Sequence, residues 1–115
     1  PIILESDDQH AGIVMTEYLN TNSVDAIIAL DTDASLAALK AVKTTGKQIP
    51  KDVAVIGYVS ERMAYNLTPE LTTINQHSYT IGNAAASMIV EAIRTKSKEM
   101  KHDVISSTLT VRDSS

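Results

Sequence analysis

The chain has 115 residues and a formal net charge of −4. That length allows one domain with a modest core, and the charge lacks the basic surplus of a nucleic-acid-binding surface. Cysteine is absent, which excludes a disulfide framework, a thiolate metal site and a thiol nucleophile, and fits a reducing cytoplasm. With no Phe, no Trp and four Tyr, the core must be aliphatic. The flat face that a sugar ring stacks on then falls best to Tyr58.

Taken in chain order, Ile2-Ile3-Leu4 reads as a short strand ending in the polar cluster Glu5-Ser6-Asp7-Asp8, a loop and helix start. From His10 to Asn20, residues Ala11, Val14, Met15, Tyr18 and Leu19 recur at helical spacing and mark one face. Ala26 to Leu30 is a continuous apolar run, as expected for a strand buried on both faces. Asp31-Thr32-Asp33 offers cap oxygens to a second helix carrying Leu36, Leu39 and Val42, with Asp33 as the better cap. Lys40 and Lys43 complement its C-terminal dipole, and Gly46 suits the position just past its end. Val53 to Gly57 reads as another buried strand, and Tyr58 to Glu70, without a period, as a long loop. Leu71 to Asn75 reads as a short extended segment. Ile81, Ala84, Ala85, Met88, Ile89, Ala92 and Ile93 mark the strongest helix. Lys96 to Asp103 is a charged turn. Val104 to Val111 alternates, with Ile105, Leu109 and Val111 on the inner side of a half-buried strand near a sheet edge.

Strands alternating with helices predict an α/β fold, a parallel sheet flanked by helices. Ligands on such sheets sit outside the carboxyl ends of the strands. That placement makes Asp31 and Tyr58 candidates for ligand binding. Each has a plainer reading: Asp31 as a helix cap, Tyr58 as core. Asp7 and Asp8 could meet a ligand or simply open a helix. His10, His77 and His102 have no ligand-type spacing, so no metal is expected. With Gly only at 12, 46, 57 and 82 there is no phosphate loop, and no nucleophile–base set suggests catalysis. No enzyme activity and no cofactor are expected.

Three stretches resemble the LacI/GalR family of bacterial transcription repressors. They are Ala26 to Asp31 running into Leu36-Ala37-Ala38-Leu39, the run from Gly46 to Tyr58, and Pro69-Glu70-Leu71-Thr72-Thr73-Ile74-Asn75-Gln76 followed by Ile81-Gly82. Leu109-Thr110-Val111-Arg112-Asp113-Ser114 resembles the family's ending. The resemblance implies the C-terminal portion of a two-lobed, periplasmic-binding-protein-like effector domain. Residues 1–71 would be mainly the C-terminal lobe, 72–76 a crossover, 77–98 a helix of the other lobe and 104–115 the terminal strand. It implies a small-molecule effector, a sugar or related metabolite, in the interlobe cleft, with Gln76 reaching it from the crossover. It also implies a homodimer through Leu36 and Leu67, DNA contact only through a segment not in this chain, no membrane association and a cytoplasmic location.

Where the family commonly reads Asn-Asp, this chain has Asp31-Thr32. Where the family reads Gly-[Phe/Tyr]-Asp, this chain has Gly57-Tyr58-Val59, so the hydroxyl contact of that Asp is missing. Two other readings are a fragment of a periplasmic-type sugar-binding protein and a receiver-like phosphoacceptor domain with Asp7-Asp8 and Asp31. The receiver would need a Lys at the end of a late strand, where Gly57-Tyr58-Val59 stands. The chain opens on Pro1-Ile2-Ile3-Leu4, already inside an expected strand, which predicts a longer parent chain.

Overall fold

A computed structural model describes residues 8–115. The expected first strand, Ile2 to Leu4, and Asp7 lie outside the described residues. The elements are α1 (Asp8–Thr21), β1 (Ala26–Ile28), α2 (Thr32–Thr44), β2 (Ala54–Gly57), α3 (Glu61–Asn66), β3 (Thr72–Asn75), α4 (Ser78–Thr95) and β4 (Thr108–Thr110). The chain divides into two compact units. The first runs to Ile74 and resumes at Leu109–Ser115; the second is Asn75–Thr108.

The sheet order is β1-β2-β3-β4, and β1, β2 and β3 pair in parallel. Ile27 stands opposite Val55, and Ile56 opposite Thr72. The fold is therefore the mostly parallel α/β sheet that the alternation of elements predicts.

The core of the first unit is aliphatic. Met15 and Leu19 of α1 meet Ala38, Leu39, Ala41 and Val42 of α2, and both helices meet Val53, Val55, Val59, Ala64 and Leu71. The end of α2 is set by its own sequence. Gly46 has φ +73° and donates its N–H to the Lys43 carbonyl at 3.0 Å, while Lys47 N–H reaches the Val42 carbonyl at 3.3 Å. This pair of bonds caps orphan carbonyls through a left-handed residue, which glycine adopts without the steric cost of a Cβ.

Several expectations are corrected. β1 is shorter than Ala26 to Leu30 and lies at one end of the described sheet, with Ile28 61% and Leu30 73% exposed. β2 alternates between buried and half-buried residues rather than being covered on both faces. The reason is common to both strands: α1, α2 and α3 send their buried residues into one cluster, so one face of the sheet is better covered than the other. The stretch read as a long loop contains α3. Its N-cap Ser60 accepts from Met63 N–H, and the flanking Val59 and Ala64 join the same core cluster, an apolar residue on each side of the first turn. The terminal strand shrinks to Thr108–Thr110, and Leu109 and Val111 are exposed instead of facing inward.

In the second unit, α4 extends the expected helix by three residues before Ile81 and two after Ile93. None of its residues is buried, and Ile81, Ile89 and Ile93 are exposed. No helix among the described residues is long and apolar enough to cross a membrane.

Candidate functional site

The carboxyl ends of β1 and β2 are tied together by a short set of hydrogen bonds. Ser35, fully buried in α2, donates through Oγ to the Asp31 carbonyl at 2.5 Å. The same Oγ accepts the Tyr58 N–H at 2.9 Å. Thr32 Oγ1 donates to the Tyr58 carbonyl at 3.0 Å. The backbones of Asp31 and Tyr58, residues on two separate strand ends, are thus held by side chains of one helix. Gly57 makes this approach possible. A Cβ there would lie 2.6 Å from Ser35 Oγ and 2.9 Å from both Ser35 Cβ and Leu71 Cδ2, inside the distance at which atoms repel.

Asp31 is the N-cap of α2: its Oδ1 accepts from Ala34 N–H at 2.7 Å. The expectation that Asp33 is the better cap is corrected, since Asp33 sits in the first turn. The choice follows from backbone conformation. Asp31 is extended (φ −149°, ψ 176°), as a cap must be, while the helix begins at Thr32. The Asp31 side chain is exposed, and a carboxylate carries about four acceptor positions, so capping leaves room for a ligand donor. Tyr58 is half-buried and Gln76, which lies in the second unit, is exposed.

Sequence reasoning missed the role of the C-terminal residues. Ser114 is fully buried. Its carbonyl accepts Val55 N–H at 2.7 Å and its N–H donates to the Glu70 carbonyl at 3.1 Å. Its Oγ donates to the Val55 carbonyl at 2.6 Å and accepts Thr72 N–H at 2.8 Å. Nearby, Arg112 donates from Nη1 to the Leu71 carbonyl and to Thr73 Oγ1, both at 2.8 Å, and pairs through Nη2 with Glu61. Ser114 is polar and stands beside another serine, so its burial could not be read from hydrophobic periodicity.

Leu36 and Leu67, far apart in sequence, line one groove of about 430 Å³ with Leu39, Lys40, Lys43 and Thr44. Leu36 is 37% exposed, whereas Leu67 packs against the core. Lys43 Nζ donates to the Thr68 carbonyl across the groove. A larger groove of about 600 Å³ lies between α1 and α2, lined by Ile13, Glu17, Leu36 and Lys40 among others. No group of three His, Asp or Glu among the described residues could hold a metal ion.

Comparison with known proteins agrees with this geometry. The periplasmic binding protein-like domain family matches residues 3–115. The transcriptional regulator CelR of Thermobifida fusca is 34% identical over 91 residues, covering 79% of this chain and 27% of that protein. A solved CelR–cellobiose complex superposes with a TM-score of 0.85 at 30% identity, covering 96% of this chain and 34% of that one. A LacI family regulator from Arthrobacter sp. FB24 shares the fold, with a TM-score of 0.86 at 24% identity over 98% of this chain and 43% of that one. This chain thus spans well under half the length of each of these relatives. With its parallel sheet, its tied strand ends and the match running over nearly all its residues, the chain belongs to the periplasmic binding protein-like domain family, among the LacI-type transcriptional regulators.

Proposed function

We propose that the intact protein senses a small-molecule effector, a sugar or related metabolite, at the carboxyl ends of β1 and β2, and that the effector controls DNA binding by another segment of the protein. The protein then acts in the cytoplasm, where its DNA is, and performs no catalysis. The observation that carries this reading is the likeness, over 96% of the chain, to a regulator solved as a cellobiose complex. Asp31 supplies the acceptor for an effector hydroxyl, and Tyr58 the flat face. The hydrogen bonds through Ser35 and Thr32 support both roles by fixing the two backbones before ligand arrives, which lowers the ordering cost of binding.

Two substitutions separate the cap from the contact. Asp31→Asn keeps a good capping residue and should leave the melting temperature nearly unchanged. Asp31→Ala removes the cap as well and should cost about 0.5–2 kcal/mol of stability. Both should weaken effector binding, the alanine variant by about 1–3 kcal/mol. Calorimetric titration of the intact protein with cellobiose tests this. Wild-type affinity in both variants would remove Asp31 from the site.

The same reading includes a homodimer formed through the groove that Leu36 and Leu67 line. Leu36→Asp should dissociate it, because a carboxylate cannot be buried unpaired at an apolar contact. Leu36 is partly exposed, so this variant should still fold. Light scattering on the intact protein should then report half the wild-type mass. An unchanged mass, or a monomeric wild type, counts against this interface.

A further inference from the structure

The net charge of the chain conceals a local surplus. Residues 94–102 hold four of the ten Lys and Arg but only one of the fourteen Asp and Glu, so this stretch carries +3 and the rest of the chain −7. Arg94, Lys96 and Lys98 alternate with Thr95 and Ser97, and all three cations are exposed. Among the described residues, none of the three charged groups has an ion-pair or hydrogen-bond partner. Lys101 instead pairs with Glu91 at 2.8 Å, which folds the segment back on α4 and neutralises a carboxylate of that helix. Glu99 N–H donates to Ser97 Oγ at 3.1 Å and holds the turn between them.

The helix end adds a second observation. Lys96 N–H donates to the Ile93 carbonyl at 3.4 Å and Ser97 N–H to the Ala92 carbonyl at 3.2 Å. Lys96 therefore occupies the left-handed position of the cap, with φ 51°. Glycine or asparagine takes that position at less steric cost, as Gly46 does after α2. The helix dipole accounts for Arg94 in the last turn. It does not account for Lys98, which stands beyond the cap.

We infer that this segment is a second contact surface for DNA, holding backbone phosphates without reading sequence. The inference rests on the proposed control of DNA binding by another segment, and it adds a contact from this part of the protein to the same duplex. Phosphate contacts need cations and hydroxyls and no apolar anchor. Residues 94–99 are Arg, Thr, Lys, Ser, Lys and Glu, whereas a protein partner would need a central apolar or aromatic residue. Charge also orients the molecule: a polyanion repels the −7 remainder and attracts this segment. Exposed Ile93 and Met100 flank it, the pattern an anionic membrane surface would use, so vesicles enter the test.

The test is fluorescence anisotropy of the intact protein with a short DNA duplex of mixed sequence, across a range of salt. The paired variant Lys96→Asn, Lys98→Gln removes two charges and keeps a residue suited to the left-handed cap. It should bind at least about fivefold more weakly, and the slope of log K against log salt should flatten by about 2. Lys51→Gln with Arg62→Gln removes the same charge from exposed positions elsewhere and should leave the slope unchanged. Wild-type affinity and slope in the first variant, or an equal loss in the second, overturns the inference and leaves the DNA-binding reading standing. So does weakened binding of the first variant to phosphatidylserine vesicles with duplex binding unchanged, which makes the partner a membrane. A wild-type protein that binds no duplex at any salt overturns the inference together with that reading.

Discussion

Gly57→Ala should destabilise the first unit by about 1–3 kcal/mol, the usual cost of forcing an extra methylene into a packed core. The added carbon would stand 2.6 Å from Ser35 Oγ and 2.9 Å from Ser35 Cβ. Rotating the Ser35 side chain could relieve the first contact at the expense of its two hydrogen bonds. It cannot relieve the second, because Cβ is fixed to the α2 backbone. Strand and helix must move apart, and burying one methyl group gains only about 0.8 kcal/mol in return. Urea denaturation of wild type and variant measures the difference. Ser35→Gly removes two of the three opposing atoms and leaves Leu71 Cδ2, so the double variant should lose less than the sum of the single losses. A neutral Gly57→Ala, or strict additivity with Ser35→Gly, would show that the close approach is not what demands glycine here.

The second large effect is expected at the C-terminal end of the chain. Ser114→Ala should cost about 2–3 kcal/mol, because it strips the partner from a buried N–H of Thr72 and one partner from the Val55 carbonyl. Truncation separates this role from mere proximity. Ending the chain after Ser114 takes away the exposed Ser115, whose Oγ donates to Thr72 Oγ1 at 2.8 Å, and should change little. Ending it after Asp113 also deletes the backbone bonds of Ser114 to Val55 and Glu70, and should cost more than Ser114→Ala. The reason is geometric. The β2–β3 register begins at Ile56 and Thr72; the preceding residue of β2, Val55, bonds to Ser114 instead, so this residue continues the ladder where β3 does not. Thermal melts of the three proteins give the order directly. Equal melting temperatures for the two truncations would rule the stitch out.

Local signals were enough for part of this molecule. The apolar faces of α1 and α2, the runs that became β1, β2 and β3, and glycine at the C-terminal end of α2 were all legible, because each depends on residues within a few positions of one another. Helical periodicity, uninterrupted apolar runs and a left-handed cap are properties of the chain before it folds. The family resemblance was legible for the same reason, since its stretches are short and local. Other features were set only when distant segments met. Which of Asp31 and Asp33 caps α2 depended on where the strand before it ended. α3 has six residues, too few for a period to emerge, and its Ala64 and the preceding Val59 gain their meaning from packing in one cluster with Leu71 and residues of α2. The exposure of Leu30 reversed the expectation from an uninterrupted apolar run, and that of Leu109 the expectation from alternation, because burial depends on which face of the sheet the helices cover. Ser114 and Arg112 are polar residues whose burial is stabilised by carbonyls and amides drawn from two strands and a connector. No window of sequence contains those partners, so only the tertiary structure could bring them together.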